Sequence, residues 1–271
     1  MKLNTDHKKK FEQNGFLILD VFSKNELKQF EKALFYIIEE QVLKANQNKA
    51  KIKINKNNLV SSVLSELDKF NHDHIADIND ILRNITESLQ LLSNKKRRRT
   101  INYLLNNSKN DPLYITNGGP LVATPNDYDH KYGFHKDTFY TLPHSEFIQI
   151  WAPLIKNATI SNGALQICLK SHLNKWHGQI AVDNVPNRHR YQVKKSEVSK
   201  YKIKNCTLKL GQVLIFSRFL AHQSGTNTSK NTRFSLVGCY HKLNNQKIRP
   251  LLPKSEFKGQ TPEEYYEELI L

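Results

Sequence analysis

Cysteine is scarce in this chain: three residues in 271, Cys168, Cys206 and Cys239, odd in number and widely spaced. No two of them have zinc-ligand spacing, and they build no disulfide framework. Long apolar runs are missing as well. Nothing approaches the ~18 consecutive apolar residues of a membrane-spanning helix, so no membrane partner is expected. The opening MKLNTDHKKKFEQNG has no apolar run of the signal-peptide kind, and the expected location is cytoplasmic. Acidic residues are few, 25 against 41 basic ones, for a formal net charge of +16. That balance favours anionic partners: phosphates, carboxylates or nucleic acid. Abundant lysine and asparagine also read as a plain compositional bias. No motif of interleaved aromatic and basic residues accompanies the charge, which disfavours nucleic acid. The densest basic run, KKRRR (95–99), reads as a solvated helix end or turn, with substrate or nucleic-acid contact as the second reading.

What is present divides near residue 112. Before it, helical signals dominate. A short helix is expected to end at Gly15, where glycine takes the left-handed conformation cheaply, and FLILD (16–20) follows as a short buried strand. SKNE (23–26) is a capping box, and Leu27, Phe30, Leu34, Ile37 and Ile38 recur at helical spacing after it. The lysine-rich stretch 46–58 reads as mobile. Two further helical patterns run through Val60, Val63, Leu64, Leu67 and Phe70, and through Ile75, Ile78, Ile81, Ile85, Leu89 and Leu92.

After residue 112, apolar and β-branched runs sit between turn signals. They are PLYITNGGPLVATP with a Gly-Gly-Pro break, FIQIWAPLI with strong alternation, SNGALQICL behind an Asn-Gly turn, GQVLIF and RFSLVGCY. The fold class expected is mainly β with flanking helices: a double-stranded β-helix (a cupin-like jelly roll) over about 112–242, with N-terminal helices and a helical insert over about 46–110. The whole chain, 1–271, is expected to form one domain. TPEEYYEELI (261–270), with a threonine cap and Pro262 at the first turn, reads as a closing helix.

The stretch YGFHKDTFY places His135 and Asp137 two apart. At strand spacing such residues face the same side and reach one metal ion, supplying two thirds of a facial triad. Tyr132, Phe134, Phe139 and Tyr140 are expected to pack around them. A rival pair, His144 and Glu146, follows Pro143 at the mouth of the next strand, which leaves it no strand of its own. Downstream, His222 follows a β-run and Arg233 opens the next strand eleven residues later. A jelly roll can bring this histidine beside the first pair and turn the arginine into the same interior. There the guanidinium can clamp the far end of a dicarboxylate, with Ser224 adding a hydroxyl. His172, His177, His189 and His241 have no evident partner and read as surface or supporting residues.

Four stretches together resemble the phytanoyl-CoA dioxygenase-like branch of the Fe(II)/2-oxoglutarate oxygenases: FEQNGFLILDVFSKNEL, FHKD, IQIWAPL with SNGALQICLKSHL, and HQSGTNTSKNTRFSL. The resemblance implies that His135, Asp137 and His222 bind iron, that Arg233 and Ser224 hold the C5 carboxylate of 2-oxoglutarate, and that Trp151 lines the cosubstrate pocket. Gln149 shares the Trp151 strand face and reaches the same pocket. It also implies O2 as second cosubstrate, succinate and CO2 as products, and hydroxylation or a related C–H oxidation, because Asp137 fills the position that halogenating relatives leave for chloride. LKSH (169–172) stands where many members have PGSH, and the helical insert, a lid or partner surface, matches no pattern of the family. The expected partner is a small polar substrate carrying a carboxylate or phosphate. Three other classes remain open: a metal-binding jelly roll without turnover, an oxygenase acting on nucleic acid, and a zinc hydrolase, which would have no need of Arg233.

Overall fold

The helical half begins as its caps dictate. The computed structural model describes residues 3–127, 133–137, 146–174, 179–181 and 191–243. Helix α1 (Thr5–Asn14) stops at Gly15, whose φ of 79° turns the chain into strand β1 (Phe16–Asp20). Helix α2 (Lys24–Gln47) carries the reciprocal Ser23–Glu26 capping box. After it come α3 (Leu64–Phe70), α4 (Asp73–Asn84), α5 (Thr86–Ser93) and α6 (Lys95–Leu104). The pattern through 75–92 is therefore two helices, split at Ile85, whose backbone is extended. Phe70, Ile81 and Leu89, expected on the apolar face, are instead 42%, 41% and 50% exposed. The stretch 46–58 is anchored where mobility was expected: Ile52 is buried, and the Asn46 side chain bonds both its N–H (2.7 Å) and its carbonyl (2.9 Å).

The strands form facing antiparallel sheets of an open jelly roll. The larger sheet has the order β1-β8-β3-β10-β2, from β2 (Leu113–Ala123), β3 (Phe147–Pro153), β8 (Gln212–Ser217) and β10 (Arg233–Lys242). The smaller has the order β7-β4-β9, from β4 (Leu165–Cys168), β7 (Ile203–Cys206) and β9 (His222–Gln223). The antiparallel pair β5 (Gln179–Ala181) and β6 (Tyr191–Val193) and the short helix α7 (Lys195–Val198) are also described. The Gly-Gly-Pro break is absent. β2 runs through it with a register irregularity opposite Val237 and Cys239, and Asn117 and Gly119 have positive φ. The closing helix expected at 261–270 lies outside the described residues, as do Tyr132, Phe139, Tyr140, His144, His177 and His189. Among the described residues no helix is long and apolar enough to cross a membrane.

Which face each side chain takes follows from the two-residue period of a strand. Ile148, Ile150 and Ala152 of β3 and Phe234, Leu236 and Tyr240 of β10 join the helices in one core. That is why β3, read as alternating, is buried at every position. The insert lies on this outer side of the sheet, where Leu64, Leu67, Ile78, Leu82 and Leu92 are core residues. Gly118 and Gly238 admit it: a Cβ on either would come within 2.9 or 3.0 Å of a Leu92 methyl carbon. The opposite faces look into the space between the sheets. There Trp151, Leu214 and Phe216 meet Leu165, Ile167, Cys206, Leu208 and Leu220.

KKRRR opens α6, and its middle residue is not solvated. Arg97 is only 4% exposed. It donates to Glu26 Oε1 (3.1 Å) and to the Gln90 carbonyl (2.7 Å), and it lies over the Phe22 ring. Burial pushes the Glu26 carboxyl up, but the Ser23 amide and hydroxyl and the Arg97 guanidinium outweigh it and hold the carboxyl below 4.5. A group depressed in the folded state stabilises above its unfolded pKa and loses that contribution as pH falls through the folded value. Glu26→Gln is expected to cost about 2 kcal/mol near pH 7, since it leaves a buried guanidinium uncompensated. In urea titrations the gap between wild type and variant should close as the pH falls below 4.5. A gap independent of pH would contradict the assignment.

Candidate metal centre

His135 enters the smaller sheet through a single bridge to His222, each donating its N–H to the other's carbonyl at 3.0 Å. Two strand positions distant in sequence thus stand side by side, their rings 4.4 Å apart. Each ring is oriented from behind. The Nδ1 atoms lie 2.8 Å from the Gly133 carbonyl and 3.0 Å from the Leu220 carbonyl. A carbonyl accepts only, so each Nδ1 carries the proton and each Nε2 keeps its lone pair for the common centre. Asp137 completes the group, Oδ1 3.3 Å from His135 Nε2 and Oδ2 3.8 Å from His222 Nε2. One ligand atom from each residue lies within 4.8 Å of the others.

The electrostatics suit a metal. Burial and the neighbouring His135 ring pull His222 down to about 4, against the pull of Asp137, so it is neutral near pH 7. Burial would lower His135 too, but the Asp137 carboxylate and the Gly133 carbonyl outweigh it and raise its pKa. Two imidazole nitrogens and one carboxylate, crowded and shielded from water, fit a divalent transition metal with open coordination positions. Lys136, between the ligands, points the other way. It is 2% exposed, and its Nζ donates to the Asn174 carbonyl at 2.6 Å, which ties the ligand-bearing segment to the turn after β4.

Inward-facing side chains of the large sheet form layers in register. Thr116, Cys239, Gln149 and Phe216 make one. It touches the triad: Cys239 Sγ is 4.0 Å from Asp137 Oδ2, and the Phe216 and His222 ring centroids are 4.8 Å apart. Deeper lie Trp151, Val237 and Leu214, then Ser235, and at the start of β10 Arg233. Gln149 Nε2, Ser235 Oγ and Arg233 Nε are all buried without a hydrogen-bond partner.

Arg233 is 6% exposed, and among the described residues no carboxylate pairs with it. Its Nη1 donates to the carbonyls of Asn162 (3.3 Å) and Gly163, its carbon lies 5.7 Å from the Trp151 ring, and burial alone pulls it down to about 10. A buried cation without a counter-charge costs several kcal/mol, and among the described residues no carboxylate offsets this one. A Cβ on Gly163 would lie 2.7 Å from that Nη1 and against the Gly225 carbonyl, so half-buried Ser224 stands one residue from the same junction.

The seven expected site residues therefore lie on the inward faces or the loops beside them. Ser235, two residues beyond Arg233 on the same face, was passed over; the i, i+2 relation is the signal that finds it. Cys239 was passed over as well. Burial pushes the Cys239 thiol well above 9, with Asp137 adding to the shift. Phe134, next to His135 in the chain, packs with Cys168, Val193 and Ala221. Neither His172 nor His241 is a surface residue: His172 Nε2 meets the Glu12 carbonyl at 3.0 Å, and His241 is fully buried with Nε2 2.8 Å from Thr116 Oγ1. In LKSH, Lys170 takes the place of the family's glycine yet keeps a left-handed backbone (φ 69°). It anchors its amine on the Gln13 carbonyl and Asn14 Oδ1.

A jelly roll that gathers two imidazoles and a carboxylate at one end, above an interior lined with donors, has the architecture of the mononuclear non-haem oxygenases. Residues 11–235 match the family model described as phytanoyl-CoA dioxygenase (PhyH), and the chain belongs to that family. No curated protein matches the chain in sequence.

Solved structures share its fold. EctD from S. alaskensis with 2-oxoglutarate and 5-hydroxyectoine aligns with a TM-score of 0.58 at 16% identity, over 95% of this chain and 84% of that one. EvdO2 from Micromonospora carbonacea var. aurantiaca complexed with 2-oxoglutarate aligns at 0.56 and 14%, over 92% and 95%. SnoK, a non-heme alpha ketoglutarate dependent carbocyclase from nogalamycin biosynthesis, aligns at 0.54 and 15%, over 89% and 85%.

Proposed function

We propose that the chain is a cytoplasmic, single-domain Fe(II)/2-oxoglutarate-dependent dioxygenase that oxidises a C–H bond of a small polar, anionic metabolite. The observation that carries this reading is the convergence of His135, Asp137 and His222 above a row of unpartnered donors that ends at a buried, uncompensated arginine. Iron held by the three residues would supply the redox chemistry that couples oxidation of the substrate by O2 to conversion of 2-oxoglutarate into succinate and CO2.

The chain's own residues do the positioning. Arg233 holds the far carboxylate, Ser224 and Ser235 donate hydroxyls to it, Gln149 offers its amide near the metal, and Trp151 walls the cosubstrate. Phe216, Leu214 and Leu220 keep water from the interior. The anionic character of the substrate rests on the +16 formal charge.

Purified protein with Fe(II), ascorbate and 2-oxoglutarate should release succinate at a low basal rate, and an accepted anionic substrate should stimulate it. No succinate above the metal-free control, with or without a metabolite panel, would overturn the assignment. Hits confined to neutral or cationic compounds would overturn only the anionic part.

A further inference from the structure

Beside Arg233, the turn after β3 and the turn before β10 are stitched together. The Thr228 N–H and hydroxyl both donate to the Ser161 carbonyl, at 2.8 and 3.1 Å, and Asn162 bridges to Asn227. The Asn227 amide donates to the Ala123 and Asn231 carbonyls at 3.0 and 2.8 Å. Between the two turns lies a cavity of about 130 Å³. Roughly 10–15 Å³ holds one water, so a polyatomic ion has room here.

Ten described residues line the cavity. Two are basic, Lys156 and Arg233, six carry a hydroxyl or an amide, and none is acidic. Lys156, Thr159 and Ser161 are exposed, whereas Arg233 is buried. Lys156 Nζ spends one of its three N–H groups on Asn231 Oδ1, at 2.9 Å. The Thr159 and Ser161 hydroxyls are 3.0 Å apart, so one donates to the other and the second keeps its hydrogen for a different acceptor. Arg233, 6% exposed, has an Nε without a hydrogen-bond partner. Among the described residues no carboxylate pairs with either cation. Two cations, spare donors and no acid select a small oxyanion.

The Arg233 guanidinium lies between this cavity and the interior. Its carbon is 5.7 Å from the ring of inward-facing Trp151, and its Nη1 donates at 3.3 Å to the carbonyl of Asn162, which lines the cavity. Of the residues assigned to the cosubstrate, Arg233 alone also lines the cavity.

We propose that the cavity binds a phosphate group, and that phosphate there opposes 2-oxoglutarate because both anions draw on one guanidinium. The second half rests on the reading of Arg233 as the cosubstrate clamp; the first does not. Two anions at a single cation repel each other and share its five N–H donors, so each weakens the other by the same factor.

Calorimetry of inorganic phosphate into metal-free protein, in chloride at constant ionic strength, tests the site. Wild type should bind one phosphate saturably. Lys156→Met should weaken binding about fivefold and Arg233→Met about 20-fold or more. His135→Ala should bind phosphate as wild type does, which separates the cavity from the metal centre. Methyl phosphate is the second probe: its binding extends the site to phosphate esters and its exclusion restricts the site to the free ion, and either result supports the proposal. Succinate release under Fe(II) tests the coupling. Phosphate at ten times its wild-type dissociation constant should raise the KM for 2-oxoglutarate about tenfold in wild type and about threefold in Lys156→Met, with kcat unchanged. Complexation of iron by phosphate is the same in both. Should methionine at this exposed position lower the melting temperature, Lys156→Gln gives the same readings.

No saturable phosphate binding to wild type, equal affinity in wild type and either Lys156→Met or Arg233→Met, or lost affinity in His135→Ala would overturn the proposal. So would a KM for 2-oxoglutarate that phosphate leaves unmoved, or moves equally in wild type and Lys156→Met. Phosphate binding that depends on Lys156, in a wild type that makes no succinate, supports the cavity and overturns the cosubstrate reading instead.

Discussion

Arg233→Met should raise the KM for 2-oxoglutarate by about 100-fold or more, while metal affinity stays within about threefold of wild type. A charge-assisted bidentate pair in a water-poor interior is worth about 3 kcal/mol, which is about two orders of magnitude in affinity. The site is unusually clean for such a measurement. The guanidinium is 6% exposed, its Nε has no partner, and no carboxylate of the described chain competes for it. Methionine fills much of the volume and removes an uncompensated buried charge, so the variant should melt no lower than wild type and even somewhat higher. Loss of cosubstrate affinity with retained or raised Tm is the signature of a residue held for binding at a cost in stability. Equal loss of both would mark Arg233 as a structural residue, and an unchanged KM would remove it from the cosubstrate site.

Alanine at His135, Asp137 or His222 should lower Fe(II) or Mn(II) affinity by at least about 100-fold and succinate formation by about 1000-fold or more. Three ligands leave nothing to spare: losing one removes a third of the protein's donors and leaves an ion that two side chains hold poorly. The three variants should differ in stability. Removing Asp137 leaves two imidazoles facing each other 4.4 Å apart without the carboxylate between them. Removing either histidine leaves Asp137 with one partner fewer, and loss of His222 also opens a cavity beside Phe216. Metal titration followed by calorimetry checks the affinities, and chelation of wild type should reproduce the loss of turnover reversibly. Full metal affinity in any one variant would exclude that residue from the centre. Full affinity in all three would move the metal elsewhere.

Local chemistry announces itself in the chain. The Ser23–Glu26 box, the left-handed Gly15 and the i, i+2 pair His135–Asp137 depend on atoms a few residues apart, and each is visible in a short window. Arg97 was misjudged because a basic run at a helix start looks solvated until another element supplies a carboxylate. That carboxylate, Glu26, is 71 residues away. Phe70, Ile81 and Leu89 kept the helical period yet ended outside. The period marks a stripe but does not say how wide a stripe the neighbouring helices cover. The opposite error occurred in β3, where alternation hid two buried faces because the helices that cover one of them come from the other half of the chain.

The sequence by itself determined the helix caps, the division into a helical and a β half, and the chemical identity of the donors at positions 135, 137, 222 and 233. Those rest on short-range sterics and on side-chain type. Only the tertiary structure decided that His135 and His222 share one bridge and that Ser235 and Gln149 line the interior between the triad and Arg233. Strand register is a long-range choice made by the packing of two sheets and a layer of helices, and a shift of one residue would turn every one of those side chains to the other face.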